Sequence, residues 1–212
     1  MKRKNTRYVL LLIGLLLNGF ASAEVDKRSR IDRGTNPVPT DQANDRQDHE
    51  IDIKVQNNGE RVLIHVSFLV PVKPQQAWAV LTDFNNLSDF TPGVQSSKVS
   101  NKVGNTMHVS QRGATQFGLF TYSIDTVGEV NLTPFSKIHD RMISGNMQKM
   151  DETTTLVQEG NSTRINYYAD IVPGLWILRF VGQFFIENEA RQRFVQTRNE
   201  IIRRHSRESS LN

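Results

Sequence analysis

The chain contains no cysteine. Disulfide staples, thiolate zinc sites and the acylated cysteine of a bacterial lipoprotein are therefore excluded, and the fold must be held by its core alone. A surplus of charge is also missing once the N-terminus is set apart. Residues 1–23 hold four of the 26 basic residues (Lys2, Arg3, Lys4 and Arg7) and none of the 22 acidic ones, which leaves 22 against 22 in the remainder. A balanced remainder lacks the basic stripe that neutralises nucleic-acid phosphates, so no nucleic-acid partner is expected. Neither G-x-S-x-G nor a P-loop occurs, and a Ser-His-Asp site has no signal above single scattered residues. His49, His65, His108, His139 and His205 show no paired short spacing, so neither a metal site nor a cofactor is expected. His139-Asp140 is a tempting acid–base pair, but neighbours on a strand point to opposite faces and cannot reach one substrate together.

What is present begins with a leader. A basic start, the apolar run Val9 to Leu17 and the small-residue pattern Ala21-Ser22-Ala23 read as a signal peptide cleaved after Ala23. A membrane anchor would need about 20 apolar residues, and Asn18-Gly19 interrupts this run early. The product is expected to be exported, periplasmic or secreted. From Glu24 to Glu50 the only aliphatic residues are Val25, Ile31, Val38 and Ala43, too few to offset ordering entropy, so the segment reads as a flexible linker. The domain is expected over 51–206 and a disordered tail over 207–212.

Inside that domain, Asn58-Gly59 sits between two β-rich runs and reads as a hairpin turn. In the second run Val62, Ile64, Val66, Phe68 and Val70 share one face and Leu63, His65, Ser67 and Leu69 the other, the period of a half-buried strand. Pro74 suits the first turn of a short helix carrying Ala77, Trp78, Val80 and Leu81, broken by Asp83 and Asn85-Asn86. A second short helix is expected through Leu87 to Phe90. Further short strands follow with Asn, Gly or Pro between them, the pattern of adjacent antiparallel strands. Asn161-Ser162-Thr163 fits both a hairpin turn and a glycosylation acceptor. The closing VGQFFIENEARQRFVQTRNEIIRRHSRE (181–208) has no proline and reads as one long helix. At 100° per residue it has an uncharged face of Val181, Phe184, Phe185, Asn188, Gln192, Val195, Asn199 and Ile202. Another lies roughly opposite, with Ile186, Ala190, Phe194, Thr197 and Ile201. Two such faces imply a helix clasped on more than one side. The fold class is α+β.

The run PVKPQQAWAVLTDFNNLSDFTPGV (71–94), with Trp78, Leu81, Asp83, Phe84, Phe90, Pro92 and Gly93, resembles the segment after the first strand in the START-like, or SRPBCC, helix-grip superfamily. The polyketide cyclase/dehydratase and coenzyme Q-binding branches are the most similar. The resemblance continues through FGLFTYSIDTVGEV, GNMQKM and NSTRINYYADIVPGLWIL and covers about 60 to 205. One run departs from it: DETTTLVQEG carries threonines at 153 to 155 where many relatives place a tryptophan.

The resemblance implies a curved antiparallel sheet wrapped around the long C-terminal helix, with two short helices closing one end of a cavity. Trp78 and Phe90 would line or plug that cavity, or serve as ordinary core aromatics. Asn188 and Gln192, with Tyr122 or Tyr168 from the sheet, are the candidate polar groups of a ligand pocket; the amides could equally cap loops or face water, and the face around Phe194 could be the inward one. Trp176 and Phe185 belong to an aromatic run near the expected mouth, suited either to ligand and transient membrane contact or to a buried start of the helix. The expected function is non-catalytic binding of a small hydrophobic ligand: a lipid, an isoprenoid quinone or a polyketide-like compound. The alternative is a cyclase or dehydratase acting in the same cavity, which a cavity-facing group of strongly shifted pKa would favour. A ribosome-directed module like the family's toxin branch fits poorly with a leader and a neutral remainder.

Overall fold

The computed structural model describes residues 51–117, 120–174 and 182–210; the expected leader and linker lie outside the described residues. The chain opens with β1 (Asp52–Asn57) and β2 (Val62–Val70), followed by helix α1 (Pro74–Leu81) and a 3-10 segment (Phe84–Asp89). Strands β3 (Val94–Val103), β4 (Thr106–Phe117), β5 (Phe120–Thr133), β6 (Lys137–Gly145), β7 (Lys149–Glu159) and β8 (Ser162–Val172) precede the long helix α2 (Gln183–Ser209). All eight strands form one antiparallel sheet in the order β1-β2-β8-β7-β6-β5-β4-β3. The α+β helix-grip architecture is thus the observed one. Helix α2 runs to Ser209, three residues past the expected domain end, so the tail assigned to 207–212 begins as helix.

Local chemistry explains the first elements. Asn57 Oδ1 accepts the Gly59 amide at 2.9 Å and Asn58 Oδ1 accepts the Arg61 amide at 2.8 Å, turns in which Asx side chains substitute for backbone acceptors. Gly59 takes φ +85°, open to glycine without a Cβ clash. In β2 the predicted alternation holds, with Val62, Ile64, Val66, Phe68 and Val70 buried. The second short helix differs from expectation. It starts at Phe84 rather than Leu87, because Asp83 begins it instead of breaking the chain: its carbonyl accepts the Asn86 amide at 3.1 Å and its carboxylate the Asn86 side chain at 2.7 Å.

The sheet must curve. Ile64 on β2 and Gly113 on β4 line one space beneath α2, although five strand spacings separate these strands, about 24 Å in a flat sheet. Register shifts between Val127 and Gly128 and along β3 supply local bends. One apolar cluster joins Phe68, Val70, Val72, Val80, Ile165 and Ile201; a second joins Phe84, Met107, Val109, Val130 and Ile138.

Helix α2 turns its Ile186, Ala190, Phe194, Thr197 and Ile201 side to the sheet, where Ala190, Phe194, Thr197 and Ile201 are buried and Ile186 is partly so. The other uncharged face is open to solvent at Phe184, Asn188 and Gln192, while Val195, farther along it, packs partly against the core, so the expected cover on a second side is present only in part. Near its C-terminus α2 is pinned to the α1 region by Arg204. This guanidinium pairs with Asp83 and Glu200, each at 2.7 Å, and lies 5.1 Å from the centre of the Phe90 ring. Gln76 and His205 meet at 2.8 Å alongside.

Phe68 is 1 % exposed and its ring centre lies 5.9 Å from that of Phe194. Phe68→Ala is expected to destabilise the domain by ~3–5 kcal/mol, measured by urea unfolding. A loss below about 1 kcal/mol would mean that the sheet and α2 are not packed as described.

Candidate functional site

Between the sheet and α2 lies a cavity of about 270 Å³, with a smaller chamber of about 90 Å³ toward α1 and the 3-10 segment. Small side chains make the room: Gly113, Ala114 and Ala190 line the larger chamber. Gly113 has a second role, since a Cβ there would stand 2.7 Å from the Gly93 carbonyl oxygen. That contact keeps the Pro92-Gly93 loop against β4, where the Ala114 amide donates to the same oxygen at 2.9 Å.

Asp140, Glu152, Tyr167 and Arg193 line the smaller chamber, and all but Asp140 also border the larger, whose wall includes Arg112 and Glu189 as well. Each of the first four owes its direction to strand or helix phase. On β6, Asp140 shares the inward parity of Ile138; on β7, Glu152 shares that of Met150 and Leu156; on β8, Tyr167 shares that of Ile165 and Ala169. Arg193 stands on α2 beside Phe194. Tyr167 is 7 % exposed and its Oη donates to Glu152 Oε1 at 2.5 Å. Its ring packs 4.8 Å from the Phe194 ring, and the Arg193 guanidinium lies 5.9 Å from the Tyr167 centroid.

Asp140 is the most perturbed acid. Burial, reinforced by the charge of Glu152 and opposed by that of Arg193, pushes its carboxyl up to about 7. Its Oδ1 is buried without a hydrogen-bond partner. Gly128 exists there to admit this group, because a Cβ at that position would lie 1.9 Å from Asp140 Oδ1. Burial also raises the Tyr167 hydroxyl well above its ordinary range, with the Glu152 charge adding to it, so the phenol stays a neutral donor. Arg193 remains a cation: desolvation works against its charge, but Tyr167, Glu152 and Asp140 together hold its pKa above the ordinary value. The arrangement offers a protonatable acid near neutrality, a cation and a tyrosine–carboxylate pair, all facing an apolar cavity. Among the described residues no group of three or more His, Asp or Glu is arranged to hold a metal ion.

The residues singled out from sequence fall in several places. Phe90 lines the smaller chamber. Trp78 does not line either chamber; it is partly buried against both apolar clusters, with its ring 5.8 Å from Phe135 in a T-shaped contact. Tyr168 points to the outer face of the sheet, stacked edge-on at 4.7 Å against His65, because its neighbour Tyr167 occupies the inward parity. Phe185 is partly buried in the first turn of α2 and lines neither chamber. Asn188 and Gln192 are exposed, on the face turned away from the sheet. Trp176 lies outside the described residues, as does the side chain of Tyr122, whose backbone belongs to β5. The expected separation of His139 from Asp140 is observed: His139 faces outward, its Nε2 3.1 Å from Asp151 Oδ1. Asp140, Glu152, Tyr167 and Arg193 were not selected as site residues. Strand parity was the available signal, since each of the three acidic or phenolic groups alternates in step with apolar neighbours.

A sheet gripping a long helix over a cavity defines the helix-grip class of fold. The chain matches the polyketide cyclase/dehydrase and lipid transport family over residues 70–196, and it belongs to that family. No curated protein sequence matches it. Among solved structures it is similar to a STAR-related lipid transfer protein from Xanthomonas axonopodis, at 13% identity and TM-score 0.58, over 72% of this chain and 93% of that one. The Zhui aromatase/cyclase from Streptomyces sp. R1128 is similar at 14% identity and TM-score 0.55, over 69% and 94%. A START superfamily protein from Mycobacterium smegmatis is similar at 13% identity and TM-score 0.52, over 71% and 99%. These likenesses establish a shared fold.

Because the folded-state pKa of Asp140 is raised, the fold favours its protonated form. Stability is therefore full near pH 4 and declines as pH rises through about 7. Asp140→Asn is expected to be more stable than the parent at pH 8, on the order of 2–4 kcal/mol, with the difference vanishing toward pH 4. Chemical unfolding across that range measures it; a difference independent of pH would show that Asp140 titrates as an ordinary exposed carboxylate.

Proposed function

We propose that this protein is an exported carrier that holds a small hydrophobic molecule between its sheet and α2 without transforming it. The observation behind this reading is the mainly apolar space of about 270 Å³ beneath α2, with the smaller chamber beside it. Ligand pockets span roughly 300–1,000 Å³, so the described walls suit a compact ring system or a short chain. An isoprenoid quinone would seat its head ring or a short length of tail; a polyketide-like aromatic would fit more completely. Burial of apolar surface, at about 25 cal/mol per Å², would supply the affinity. Export rests on the leader over residues 1–23 and its cleavage after Ala23. Transient membrane contact through Trp176–Phe185 is part of the same proposal, and Phe184, 82 % exposed at the start of α2, supports it.

A second reading has a specific observation in its favour. Asp140, facing the cavity with its pKa pushed up to about 7, has the protonation behaviour of a general acid or base at neutral pH. A cyclase or dehydratase acting on a bound chain would use such a group.

Native mass spectrometry of the protein recovered from its host, followed by organic extraction, is expected to find one apolar molecule per chain, on a polypeptide beginning at Glu24. Incubating the extracted compound with fresh protein should return it unchanged. Conversion to a product would replace the carrier with the enzyme, and an empty protein beginning at Met1 would contradict both the carrier reading and the export.

A further inference from the structure

The outer face of the sheet holds a hollow of its own. A groove of about 280 Å³ runs over β1, β2, β8 and β7 on the side away from α2, as large as the cavity beneath the helix. Cross-strand register sets the side chains of its floor in two rows, His65, Tyr168 and Thr153 in one and Ser67, Asn166 and Thr155 in the other. All six take the outward parity of their strands, because Val66, Tyr167 and Leu156 take the inward one.

This floor is polar, yet it includes no Lys, Arg, Asp or Glu. Formal charges stand at its borders: Asp52 and Lys54 on the edge strand β1 face one another at 3.6 Å, and Lys137, opposite Thr155 on β6, lies outside the groove. One hydrogen bond is made within the floor, from Ser67 Oγ to Asn166 Oδ1 at 2.9 Å, which orients the amide and leaves its nitrogen available. Among the described residues the hydroxyls of Thr153, Thr155 and Tyr168 and the ring nitrogens of His65 have no hydrogen-bond partner. Hydroxyls donate and accept, an amide nitrogen donates, and imidazole does one at each nitrogen. Tyr168, half-buried and edge-on to His65 at 4.7 Å, adds an aromatic surface to these groups.

We propose that this groove binds a neutral saccharide, at a site separate from the cavity beneath α2. Every sugar hydroxyl donates and accepts, which suits a floor of hydroxyl, amide and imidazole groups, and the C–H face of a pyranose ring packs against a tyrosine ring. Other ligand classes fit less well. An apolar molecule finds no aliphatic side chain among the six, and an anion finds no unanswered cation on the floor, since Lys54 at its border faces Asp52. An extended peptide pairs through its main chain with the edge of a sheet rather than with its face.

Titration of the nitrogen-15-labelled full chain with maltotriose, cellotriose and chitotriose, followed by NMR, tests the site. Each hydrogen bond exchanged from water gains little, so at least one of these sugars is expected to bind with a Kd of about 1 mM or below. Its addition should move the amide signals of Ser67, Thr153 and Asn166 and leave those of Ala190 and Phe194 on α2 in place. Thr153→Val combined with Thr155→Val keeps the strand preference of both positions and removes their hydroxyls; affinity should fall roughly tenfold. The titration of the parent protein stands even if that variant folds poorly. No shift with any of the three sugars, shifts confined to α2, or unchanged affinity in the folded double variant would overturn the saccharide site, and each of these results leaves the reading of the inner cavity untouched.

Discussion

The structure depends on burying one narrow stripe of a highly charged helix. Ile186, Ala190, Phe194, Thr197 and Ile201 recur at helical spacing along α2, and the residues between them include Arg191, Arg193, Arg198 and Glu200. A stripe that narrow cannot be covered without drawing some flanking charges under the sheet. The fold answers each in kind. Glu200 is held well below the usual carboxylate range, first by its hydrogen bond to Arg203 and further by Arg204. Arg191 and Arg198 reach the carbonyl oxygens of Ile51 and Leu69, each at 3.3 Å. Arg193 alone of this set is turned toward the cavity, and its counterparts are the inward acids of β6 and β7. A buried charge is tolerated when an opposite charge shares its low-dielectric surroundings.

The two ends of the interface divide stability from function. Around Ile201 the space is filled by Phe68, Val70, Val80 and Ile165, all nearly inaccessible. Around Ala190 it is left open, because Gly113 and Ala114 present no side chain large enough to close it. Filling that gap with apolar side chains would add dispersion contacts and remove the cavity together. The same opposition recurs at Gly128, where missing side-chain volume on β5 admits the Asp140 carboxyl that the interior penalises. Sites that hold polar groups in apolar surroundings at a loss of stability are common where ligands bind.

Much of the architecture was legible because alternation and composition speak directly to strand and helix. The faces of β2, the hairpin at Asn58-Gly59, the single long C-terminal helix and the resemblance around Trp78 to Gly93 led to the fold that is observed. The site was less legible, for two physical reasons. Helix rotation depends on which of two weakly polar faces the sheet selects, and periodicity within α2 does not contain that choice; Asn188 and Gln192 were the candidates, with the face around Phe194 left open, and it is the Phe194 face that lies against the sheet. Strand parity did contain the choice between Tyr167 and Tyr168, since Thr163, Ile165, Ala169 and Ile171 mark the inward set. The inward acids were harder. Asp140 and Glu152 break an apolar pattern, and a broken pattern reads as a solvent face until the opposing Arg193 is known to lie across from it.

The account stands on Asp140 being held beneath α2 with its Oδ1 buried and without a hydrogen-bond partner. Its carboxyl carbon can be followed by carbon-13 NMR through a pH titration, with the Asp140→Asn spectrum identifying the resonance. The account predicts a midpoint near 7, raised by burial and by the neighbouring charge of Glu152. A midpoint close to the ordinary aspartate value of about 4 would show the group to be solvated, and the buried polar cluster beneath α2 would not exist as described.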